Sequence, residues 1–568
     1  MHERTKDAVQ LLRRSRKIYV PLILQDLRPL DPPKIYVPLI LLEDDSAATV
    51  MLQRSVAPVS PIADIDESPT TRHMDRRKFI SHAGIGLSGL ALADRLLAEP
   101  YAPTPVAFAP SSPLRIRGTV TGGGRGLAGV RVSDGVSVVR TTADGSYALI
   151  ADSAQPFVFV STPAGWQPVR NAIGTARFYQ PIMGSSGEMR ADFALVPRAG
   201  DAKHTMLVLA DPQTRTREET DLVHSQTVPD VLGTIAGAGD RAILGVACGD
   251  IMFDDLTLYP EWERAVQRMG VPFYQVIGNH DLDYASRTDE GASETFRSRF
   301  GPTAYSFDVG AIHYVMLDNV FWHGAGYLGY LDGRQLAWMA ADLATIERGR
   351  TVVVLMHIPA LSTMDQRRTN AKTPGTGSSV MNREALYRLL EPFKSHIVSG
   401  HQHELEQVHE GGPRHIVAGA VCGAWWSGPI CYDGTPNGYL VLQGDDAAVS
   451  WQYKSTGLPA EHQIRGYKRG ADRTAPDEVV ANVWAWDDSW RVTWFEDGQP
   501  RGAMARRRGF DPLSVELHMG PDLPKHNPWV DPAPTAHLFY ATPSREAREV
   551  IVEARDAAGR TFRERITV

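Results

Sequence analysis

The segment Gly278-Asn279-His280-Asp281 follows an apolar, strand-like run, and four other segments of this chain have the same character. All five place Asp, Asn, Gln or His side chains directly after apolar residues. The other four are Asp211-Pro212-Gln213, Gly249-Asp250 with Asp254 shortly after it, the single residue His357, and Gly400-His401-Gln402-His403. Any one of them arises easily by chance, but five in series do not. Together they supply enough side-chain ligands for two divalent metal ions.

The length and composition predict a multidomain globular protein. The chain has 568 residues, of which 43% are hydrophobic and 22% charged, so about two to four domains are expected. The net charge of −7 argues against a dedicated nucleic-acid-binding surface, because phosphate backbones select basic surfaces. Cys248, Cys422 and Cys431 are too few for a disulfide framework. Cys422 and Cys431 could pair, although free thiols are favoured.

Residues 74–112 have the parts of an export signal. Arg76-Arg77 is a basic pair, residues 83–93 form a short apolar stretch, and residues 99–113 are rich in Pro and Ala. The adjacent arginines predict export by the twin-arginine route, to the periplasm or the outside of the cell. The apolar stretch is too short for a stable membrane span. An ordinary amphipathic helix is the alternative.

Residues 1–73 lack a periodic core pattern and contain a direct repeat, residues 17–23 and 34–40. Export signals stand at the N-terminus of a protein, yet this one begins at Met74. We therefore expect residues 1–73 to be absent from the native protein, through an over-extended reading frame, or to be disordered.

The segment 113–198 shows short alternating runs broken by Gly and Asp, which predict a small β-sandwich. It is similar to the prealbumin-like module that precedes some phosphoesterase domains. Asp144-Gly145 between two such runs predicts a hairpin-type turn. This segment has no cluster of catalytic residue types, so its expected role is spacing or packing.

Residues 204–444 alternate strand-like and helix-like runs, which is the pattern of an α/β domain. The candidate ligands follow the strands, where open α/β sheets place their ligand sites. Strands are predicted at residues 206–210, 243–247, 273–277, 311–317, 352–355, 396–398 and 415–418, and helices at 219–236, at 259–269 and after a cap at Asp332.

Residues 445–568 return to a β-type pattern, with tryptophans in strand-like runs at 484–486 and 490–494 and a turn at Asp497-Gly498. The tryptophans could form a sugar-binding platform, but aromatic residues at alternate strand positions are favoured as core. Arg506-Arg507-Arg508 is expected to be a solvated loop or sheet edge.

The order and residue types of the five segments resemble the calcineurin-like metallophosphoesterase family over roughly residues 204–445. The β-sandwich and the C-terminal region resemble modules of a bacterial branch of that family. The resemblance implies an α/β (α+β) fold, in which a sandwich of two mixed sheets is flanked by helices and carries an all-β domain at either end.

The resemblance also implies a set of ligands for two divalent ions, which would be Mn, Zn, Fe or Mg. Two cations about 3.5–4 Å apart need a shared anionic ligand, and the resemblance assigns that role to Asp250. One ion would also take Asp211, Gln213 and His403, and the other would take Asn279, His357 and His401.

Gln213 departs from the commoner pattern of the family, which has His at this position. An amide oxygen is a harder and weaker donor than imidazole, so the metal site that includes Gln213 is expected to favour manganese or magnesium over zinc. A stable ferric ion is also disfavoured at that site. The alternative is that Gln213 is not a ligand and that water takes its place.

The implied reaction is hydrolysis of a phosphomonoester or phosphodiester through in-line attack by a hydroxide that bridges the two ions. His280 is expected to protonate the leaving oxygen or to neutralise developing charge. Asp281 would accept a hydrogen bond from that imidazole and raise its pKa, or else be a simple turn residue. Asp254 is expected to support the loop.

Several loops near the ligands are candidates for substrate choice. The polar stretch 362–380, which contains Arg367 and Arg368, is predicted to form a lid that contacts phosphate. Trp425-Trp426 and residues 433–438 are predicted to lie at the rim of the same cleft. Ordinary loop chemistry is the alternative for each.

The main alternative function is a non-catalytic envelope protein whose β-domains bind glycan or a partner, with an inactive metal domain as a scaffold. Loss of a candidate ligand would have favoured it, and none is lost. The sequence does not distinguish a monoester from a diester substrate, and it contains no indication of the oligomeric state.

Overall fold

A computed structural model describes residues 113–568, apart from residue 153 and the segments 172–173, 183–186 and 520–526. The expectations for residues 1–112, namely the over-extended start, the direct repeat and the export signal, lie outside the described residues. Within the described part of the chain, no helix is long and apolar enough to cross a membrane.

The N-terminal β-domain consists of two sheets that share a core with Leu114, Val132 and Phe159. Its strands are β1 (Pro113–Gly122), β2 (Arg125–Gly126), β3 (Arg131–Ser133), β4 (Val138–Arg140), β5 (Ser146–Asp152), β6 (Phe157–Ser161), β7 (Trp166–Pro168), β8 (Tyr179–Pro181), β9 (Gly187–Arg190) and β10 (Phe193–Pro197). The first sheet has the order β2-β1-β10-β7, with β5 and β9 also paired to β1, and the second has the order β4-β3-β6-β8.

Asp144-Gly145 forms the predicted turn but does not close a hairpin. The N–H of Gly145 donates to the carbonyl of Thr142 over 2.9 Å, and Gly145 has a φ of 81°, which favours glycine. The strands on either side, β4 and β5, belong to different sheets. The hairpin prediction was wrong because a turn signal specifies the local backbone, whereas the core on both sides of a strand selects its pairing partner.

The central domain contains two mixed sheets and a short ribbon. Its strands are β11 (Lys203–Leu209), β12 (Ala242–Cys248), β13 (Phe273–Val276), β14 (Tyr305–Val309), β15 (Ile312–Met316), β16 (Val320–Trp322), β17 (Tyr327–Gly329), β18 (Thr351–Leu355), β19 (Lys394–Ser399), β20 (Glu406–His409), β21 (Arg414–Val417), β22 (Gly438–Asp445) and β23 (Ala448–Ser455). One sheet has the order β13-β12-β11-β22-β23 and the other β14-β15-β18-β19-β21-β20, while β16 pairs with β17. The first sheet therefore continues past residue 444.

The strands that lead to the candidate ligands run parallel within each sheet. β11, β12 and β13 are parallel neighbours in the first sheet, and β18 and β19 are parallel neighbours in the second. Side chains from both sheets, among them Val208, Val246 and Val353, are fully buried in one shared core. Parallel strands place their carboxyl ends at the same edge, so the residues that follow them come together there.

The helices of the described chain are mostly short and belong mainly to the central domain. They are α1 (Arg217–Leu222), α2 (Val228–Gly237), α3 (Tyr259–Met269), α4 (Asp289–Ala292), α5 (Glu294–Phe300), α6 (Gly333–Leu343), α7 (Met364–Thr369), α8 (Arg383–Leu390) and α9 (Pro512–Met519), with 3-10 turns at Leu256–Leu258 and Asn279–Asp281. Asp332 caps α6 as predicted, because its carboxylate accepts from the N–H groups of Arg334 and Gln335.

The predicted helix over residues 219–236 is interrupted in the structure. A π-helical turn at Val223–Thr227 joins α1 to α2. Pro229, in the first turn of α2, has no backbone N–H and so cannot continue the regular α-helical hydrogen bonding.

The C-terminal domain is built from two four-stranded sheets around a core that includes Val479, Val492 and Phe539. Its strands are β24 (Arg465–Tyr467), β25 (Val479–Asn482), β26 (Arg491–Glu496), β27 (Gln499–Ala503), β28 (Ala505–Phe510), β29 (Pro534–Ala541), β30 (Glu549–Arg555) and β31 (Thr561–Thr567). The sheet orders are β24-β25-β29-β28 and β27-β26-β30-β31. Asp497-Gly498 joins β26 to β27, and both residues have positive φ, as a two-residue hairpin turn requires.

The tryptophans at residues 484–494 of this domain lie in or against a hydrophobic core, and its run of arginines lies at a sheet edge, as predicted. Trp484 is buried in the core that the N-terminal and central domains share, and Trp490 and Trp494 pack against the core of the C-terminal domain. Arg506 and Arg507 lie on β28, an edge strand, and their guanidinium groups stack on the rings of Trp486 and Tyr540 at 3.8 and 3.9 Å. The three cysteines are buried free thiols, as favoured from the sequence.

A buried charge cluster connects the N-terminal β-domain to the central domain. Arg131 lies 2.5 Å from Asp308, and its Nε lies 3.6 Å from Asp342. The imidazole of His313 lies between the same two carboxylates, 2.9 Å from each. All four side chains are buried, so the loss of one would leave an uncompensated charge in the interior.

Candidate metal centre

The loops at the carboxyl edge of the two sheets bring together all seven candidate ligands. Asp211 and Gln213 follow β11, Asp250 follows β12 and Asn279 follows β13 in the first sheet. The second sheet contributes three histidines, since His357 follows β18 and both His401 and His403 follow β19. Six of the seven side chains are buried, and His401 is half-buried.

His357 is at the centre of the tighter half of this group. Its Nε2 lies 3.2 Å from Oδ1 of Asp250, 3.2 Å from Oδ1 of Asn279 and 3.2 Å from Nδ1 of His401. One ligand atom from each of Asp250, His357 and His401 falls within a mutual separation of 4.8 Å. One carboxylate, one amide oxygen and two imidazole nitrogens therefore converge on a single small volume, which suits a divalent metal ion.

All three histidines have the hydrogen bond that is typical of metal ligands. Each uses one ring nitrogen to donate to a backbone carbonyl, which orients the ring and leaves the other nitrogen free as a ligand. The bonds are His357 Nδ1 to Cys248 O at 3.0 Å, His401 Nε2 to Gly377 O at 2.9 Å, and His403 Nδ1 to Gly423 O at 2.6 Å.

The second half of the group is looser. Nε2 of His403 lies 3.7 Å from Oδ1 of Asp211, and the backbone N–H of His401 donates to both oxygens of Asp211 at 3.0 and 2.9 Å. Asp250 stands between the two halves. Asp211, His403 and Asp250 therefore offer three donors for a second ion.

Gln213 has an orientation that the sequence does not predict. Its Oε1 accepts the indole N–H of Trp425 over 2.8 Å, and its Nε2 donates to Oδ2 of Asp250 over 3.2 Å. An indole nitrogen can only donate, so this contact determines which end of the amide faces Trp425. The amide oxygen also lies 3.8 Å from Sγ of Cys422, a weak donor, and the NH₂ group faces the carboxylate of Asp250.

The backbone of these loops is strained at the residues that carry the ligands. Among the described non-glycine residues, eight with positive φ lie in or beside the centre, and such conformations persist only where surrounding contacts hold them. They are Asp211, Gln213, Asp250, Asp254, His401, His403, Trp425 and Trp426. This clustering of strain is typical of a functional site.

The glycines before two of the ligands lie close to the side chains of other ligands. Gly249 has a φ of 83°, and a Cβ at this position would lie 2.2 Å from Nδ1 of His357. A Cβ at Gly400 would lie 2.5 Å from Oδ2 of Asp211. Any larger residue at either position would push a ligand side chain away.

Burial and charge determine the protonation of the group. Burial raises the pKa of Asp211 to about 8, and the nearby Asp250 carboxylate adds to the shift. Burial opposes the charged imidazole of His357, but the Asp250 carboxylate raises its pKa to about 9. Burial lowers the pKa of His401 to about 3 and that of His403 to about 4. His401 and His403 are therefore neutral imidazoles that a cation can bind directly, whereas Asp211 and His357 hold protons that a bound cation would displace.

Asp254, rather than Asp281, contacts His280, so the expected pairing was wrong. Oδ1 of Asp254 lies 2.6 Å from Nδ1 of His280. The carboxylate of Asp281 is fully buried and accepts from the N–H groups of Gly278, Ile251 and Met252, at 2.9 to 3.1 Å. Asp281 thus holds the two ligand loops together, which corresponds to the alternative of a turn residue.

The stretch 362–380 contacts the centre through its backbone rather than through Arg367. The guanidinium of Arg367 is buried, donates to Pro534 O over 2.6 Å and pairs with Glu404. It is therefore not free to contact phosphate, contrary to our expectation. Arg368 is exposed and lies over the ring of Tyr432 at 4.9 Å.

Sequence reasoning missed two contributions to this edge of the molecule. The hydroxyl of Tyr284 donates to Asn279 O over 2.8 Å and lies 3.4 Å from Nδ1 of His280. Asn527, from the C-terminal domain, donates to the carbonyl of Trp425 over 2.5 Å. The contact of Asn527 with Trp425 joins segments 102 residues apart, and the contact of Tyr284 depends on how the chain turns after Asp281, so neither had a sequence signal.

The fold and this group of ligands define a metal-binding centre at the edge of a two-sheet sandwich. Residues 205–405 match the family model of calcineurin-like phosphoesterase, residues 114–198 the model for the N-terminal region of these proteins, and residues 415–562 the model for their C-terminal region. The chain belongs to the calcineurin-like phosphoesterase family.

The chain is similar to plant purple acid phosphatases over only part of its length. It is 28% identical over 188 residues to purple acid phosphatase 15 of Arabidopsis thaliana, which is 29% of this chain and 32% of that protein. Purple acid phosphatase 23 of the same plant is 28% identical over 186 residues, 29% of this chain and 37% of that protein. The chain thus spans about a third of the length of these relatives.

The solved structures that are similar to this chain include a dimetal phosphatase from Danio rerio. The two chains are 15% identical with a TM-score of 0.32, and the match covers 44% of this chain and 96% of the other.

Proposed function

We propose that this chain is a phosphoester hydrolase that depends on two divalent metal ions. The observation that carries the proposal is the convergence of seven oxygen and nitrogen ligands from two sheets, with each histidine oriented by a backbone carbonyl. When bound, two such ions would neutralise phosphoryl charge and activate a water molecule for in-line attack. Either a phosphomonoester or a phosphodiester fits this chemistry.

The residues around the ions have separable roles in this proposal. Asp250 lies between the two halves of the centre and would bridge the ions as an anion, because the neighbouring histidines outweigh burial and keep its pKa low. Asn279, His357 and His401 would hold one ion. Asp211 and His403 would hold the other together with the amide oxygen of Gln213.

His280 is proposed to protonate the leaving oxygen. Its Nδ1 is occupied by Asp254, which leaves Nε2 as the nitrogen that can carry a proton to the substrate. Its backbone N–H donates to Oδ1 of Asp250 over 2.8 Å, so the ring is placed directly beside the metal centre. Burial opposes the protonated imidazole, but the carboxylates of Asp250 and Asp254 raise its pKa.

Metal analysis combined with a substrate panel tests this function. Protein stripped with a chelator and reloaded with Mn, Zn, Fe or Mg should bind about two ions per chain and should hydrolyse at least one phosphomonoester or phosphodiester. Stoichiometric metal without any hydrolysis would instead support a metal-binding scaffold.

We also propose export by the twin-arginine route, on the basis of Arg76-Arg77 and the short apolar stretch after it. This route carries folded proteins and would therefore suit a protein that loads metal before it crosses the membrane. A fusion of residues 74–112 to a reporter should be exported, and Arg76→Lys together with Arg77→Lys should abolish that export.

A further inference from the structure

We propose that an aromatic wall beside the metal centre is the subsite for the leaving group and that it takes a planar aromatic ring. The wall consists of Phe253, Trp425 and Trp529, together with the guanidinium of Arg215. This inference rests on the proposed phosphoester hydrolysis and adds the class of substrate.

The wall begins at the residue proposed to protonate the leaving oxygen. The ring of Phe253 stacks on the imidazole of His280, with centroids 4.5 Å apart and an interplanar angle of 15°. Trp425 meets Phe253 edge to face at 5.8 Å and meets His403 in the same way at 5.5 Å. A group that departs toward His280 therefore leaves along these rings.

Trp529 and Arg215 extend the wall away from the metals. The guanidinium of Arg215 lies 5.4 Å from the ring centroid of Phe253 and 5.6 Å from that of Trp529, so it contacts both rings. The ring of Trp529 lies 5.6 Å from that of Trp425. Trp529 is 48% exposed, which leaves a large part of its surface available to a ligand.

The wall is held in place by a buried amide from the C-terminal domain. Asn527 is 2% exposed, accepts from Arg215 over 3.1 Å and donates to the carbonyl of Trp425 over 2.5 Å. The indole N–H of Trp425 is bound to Gln213. Because Trp425 and Arg215 are already fixed, a ligand that stacks between them and Trp529 loses less affinity to ordering the protein.

The chemistry of the wall favours a planar π-system over a sugar. A sugar ring needs hydrogen-bond partners around its edge, but the indole N–H of Trp425 and the amide of Asn527 are engaged inside the wall. The wall therefore offers ring faces and a stacked cation, which are the elements that bind bases and aryl groups.

A matched pair of substrates tests the inference. Benzyl phosphate and cyclohexylmethyl phosphate both release an alkanol of similar size and differ in whether the ring is planar and aromatic. The metal-loaded protein should prefer benzyl phosphate in kcat/KM, and Trp529→Ala should reduce that preference by about tenfold through a higher KM, as expected for one lost stacking contact. Phe510→Ala is the control, since Phe510 is 46% exposed in the same domain and lies on β28.

A second pair distinguishes the two sources of a planar ring. Adenosine 5′-monophosphate and ribose 5-phosphate share the phosphate and the sugar, so a loss in Trp529→Ala for the nucleotide as well as for benzyl phosphate, but not for ribose 5-phosphate, shows that the wall also takes a nucleobase. A loss confined to benzyl phosphate assigns an aryl group. Equal effects of Trp529→Ala on all four substrates, or none at all, would overturn the inference while the hydrolase function stands.

Binding of non-hydrolysable analogues separates this inference from the proposed function. Calorimetry should show tighter binding of benzylphosphonate than of cyclohexylmethylphosphonate to the metal-loaded wild type but not to Trp529→Ala. That result without hydrolysis of any substrate would refute the hydrolase function and keep the ring-binding wall. Equal affinities for the two phosphonates would refute the wall.

Discussion

Trp425 donates its indole N–H to Oε1 of Gln213 over 2.8 Å, and both residues have positive φ. The same amide donates to Asp250, the residue between the two halves of the metal centre, over 3.2 Å. A residue expected only at the rim of the cleft therefore orients a candidate ligand. This relationship makes Gln213 the most informative position for testing the looser metal site.

Gln213→His should tighten binding of zinc-type ions at one of the two sites, because imidazole is a better donor for these ions than an amide oxygen. Calorimetric titration of stripped protein with Zn and Mn would measure the change. Trp425→Phe tests the orientation of the amide separately, since it removes the indole donor and leaves the Gln213 side chain in place. Unchanged affinity and rank order of the two metals would show that Gln213 is not a ligand.

Asp250→Asn should abolish turnover and lower the amount of bound metal. The substitution removes the negative charge between two cations, and the new amide offers only one neutral oxygen. Elemental analysis of the purified variant measures the metal content. Asp283→Asn, on a nearby loop and bonded to Thr295, is a matched control. Two fully retained ions per chain in Asp250→Asn would contradict the bridging role.

His280→Ala should keep its metal but lose about 10²–10⁴-fold in turnover, which is the range for loss of a general acid. The loss should be smaller for nitrophenyl esters, because nitrophenolate leaves without a proton. Steady-state kinetics on esters of graded leaving-group acidity would measure this difference. Equal losses for every ester would assign His280 to phosphate binding.

Asp254→Asn should move the alkaline limb of the pH profile of kcat to lower pH. The carboxylates of Asp250 and Asp254 outweigh burial and raise the pKa of His280. A general acid is active only while protonated, so activity falls as the pH rises through its pKa. Without the Asp254 carboxylate the pKa of His280 drops, so the activity begins to fall at a lower pH. An alkaline limb at the same pH in wild type and variant would show that Asp254 does not tune His280.

The charge cluster at His313 should make stability depend on pH. Burial opposes the charged imidazole, but the carboxylates of Asp342 and Asp308 raise its pKa above the ordinary 6.5. The contribution of His313 is therefore complete below 6.5 and is lost as the pH rises through the raised value. Asp308 has a pKa lowered to about 2, so its contribution is lost only as the pH falls toward that value.

Urea unfolding of wild type and His313→Gln across pH measures this linkage. The wild type should lose stability with rising pH above 6.5, and the variant should show a flatter dependence in that range. Parallel curves for the two proteins would contradict the assignment of a charged His313.

Arg131→Met should destabilise the protein by about 3–5 kcal/mol, because it removes the buried cation that faces both Asp308 and Asp342 and leaves only His313 and the half-buried Arg350 to balance them. Arg565→Met is the matched control. Arg565 also pairs with a carboxylate, that of Glu549, but its side chain is 71% exposed, and exposed pairs contribute little. Chemical denaturation compares the two variants. Equal denaturation midpoints would show that the buried cluster does not stabilise the contact between the N-terminal β-domain and the central domain.

The sequence by itself determined many of the sheet strands and the set of candidate ligands. Strands such as β12 and β18 are buried on both faces and therefore read as continuous apolar runs. The motifs after them are local features, so Asp250 and His357 are identified without any knowledge of their neighbours. The turn at Asp497-Gly498 was predicted correctly for the same reason, since its two residues specify their own backbone.

Only the tertiary structure decided which side chains meet. Three contacts illustrate this: Asp254 with His280, Arg367 with Glu404, and Trp425 with Gln213. Each of them joins segments that are separated in the sequence. Hydrogen bonds and ion pairs of this kind depend on side-chain positions to within fractions of an ångström. Residue type and spacing do not encode these positions, because the packing of the whole domain sets them.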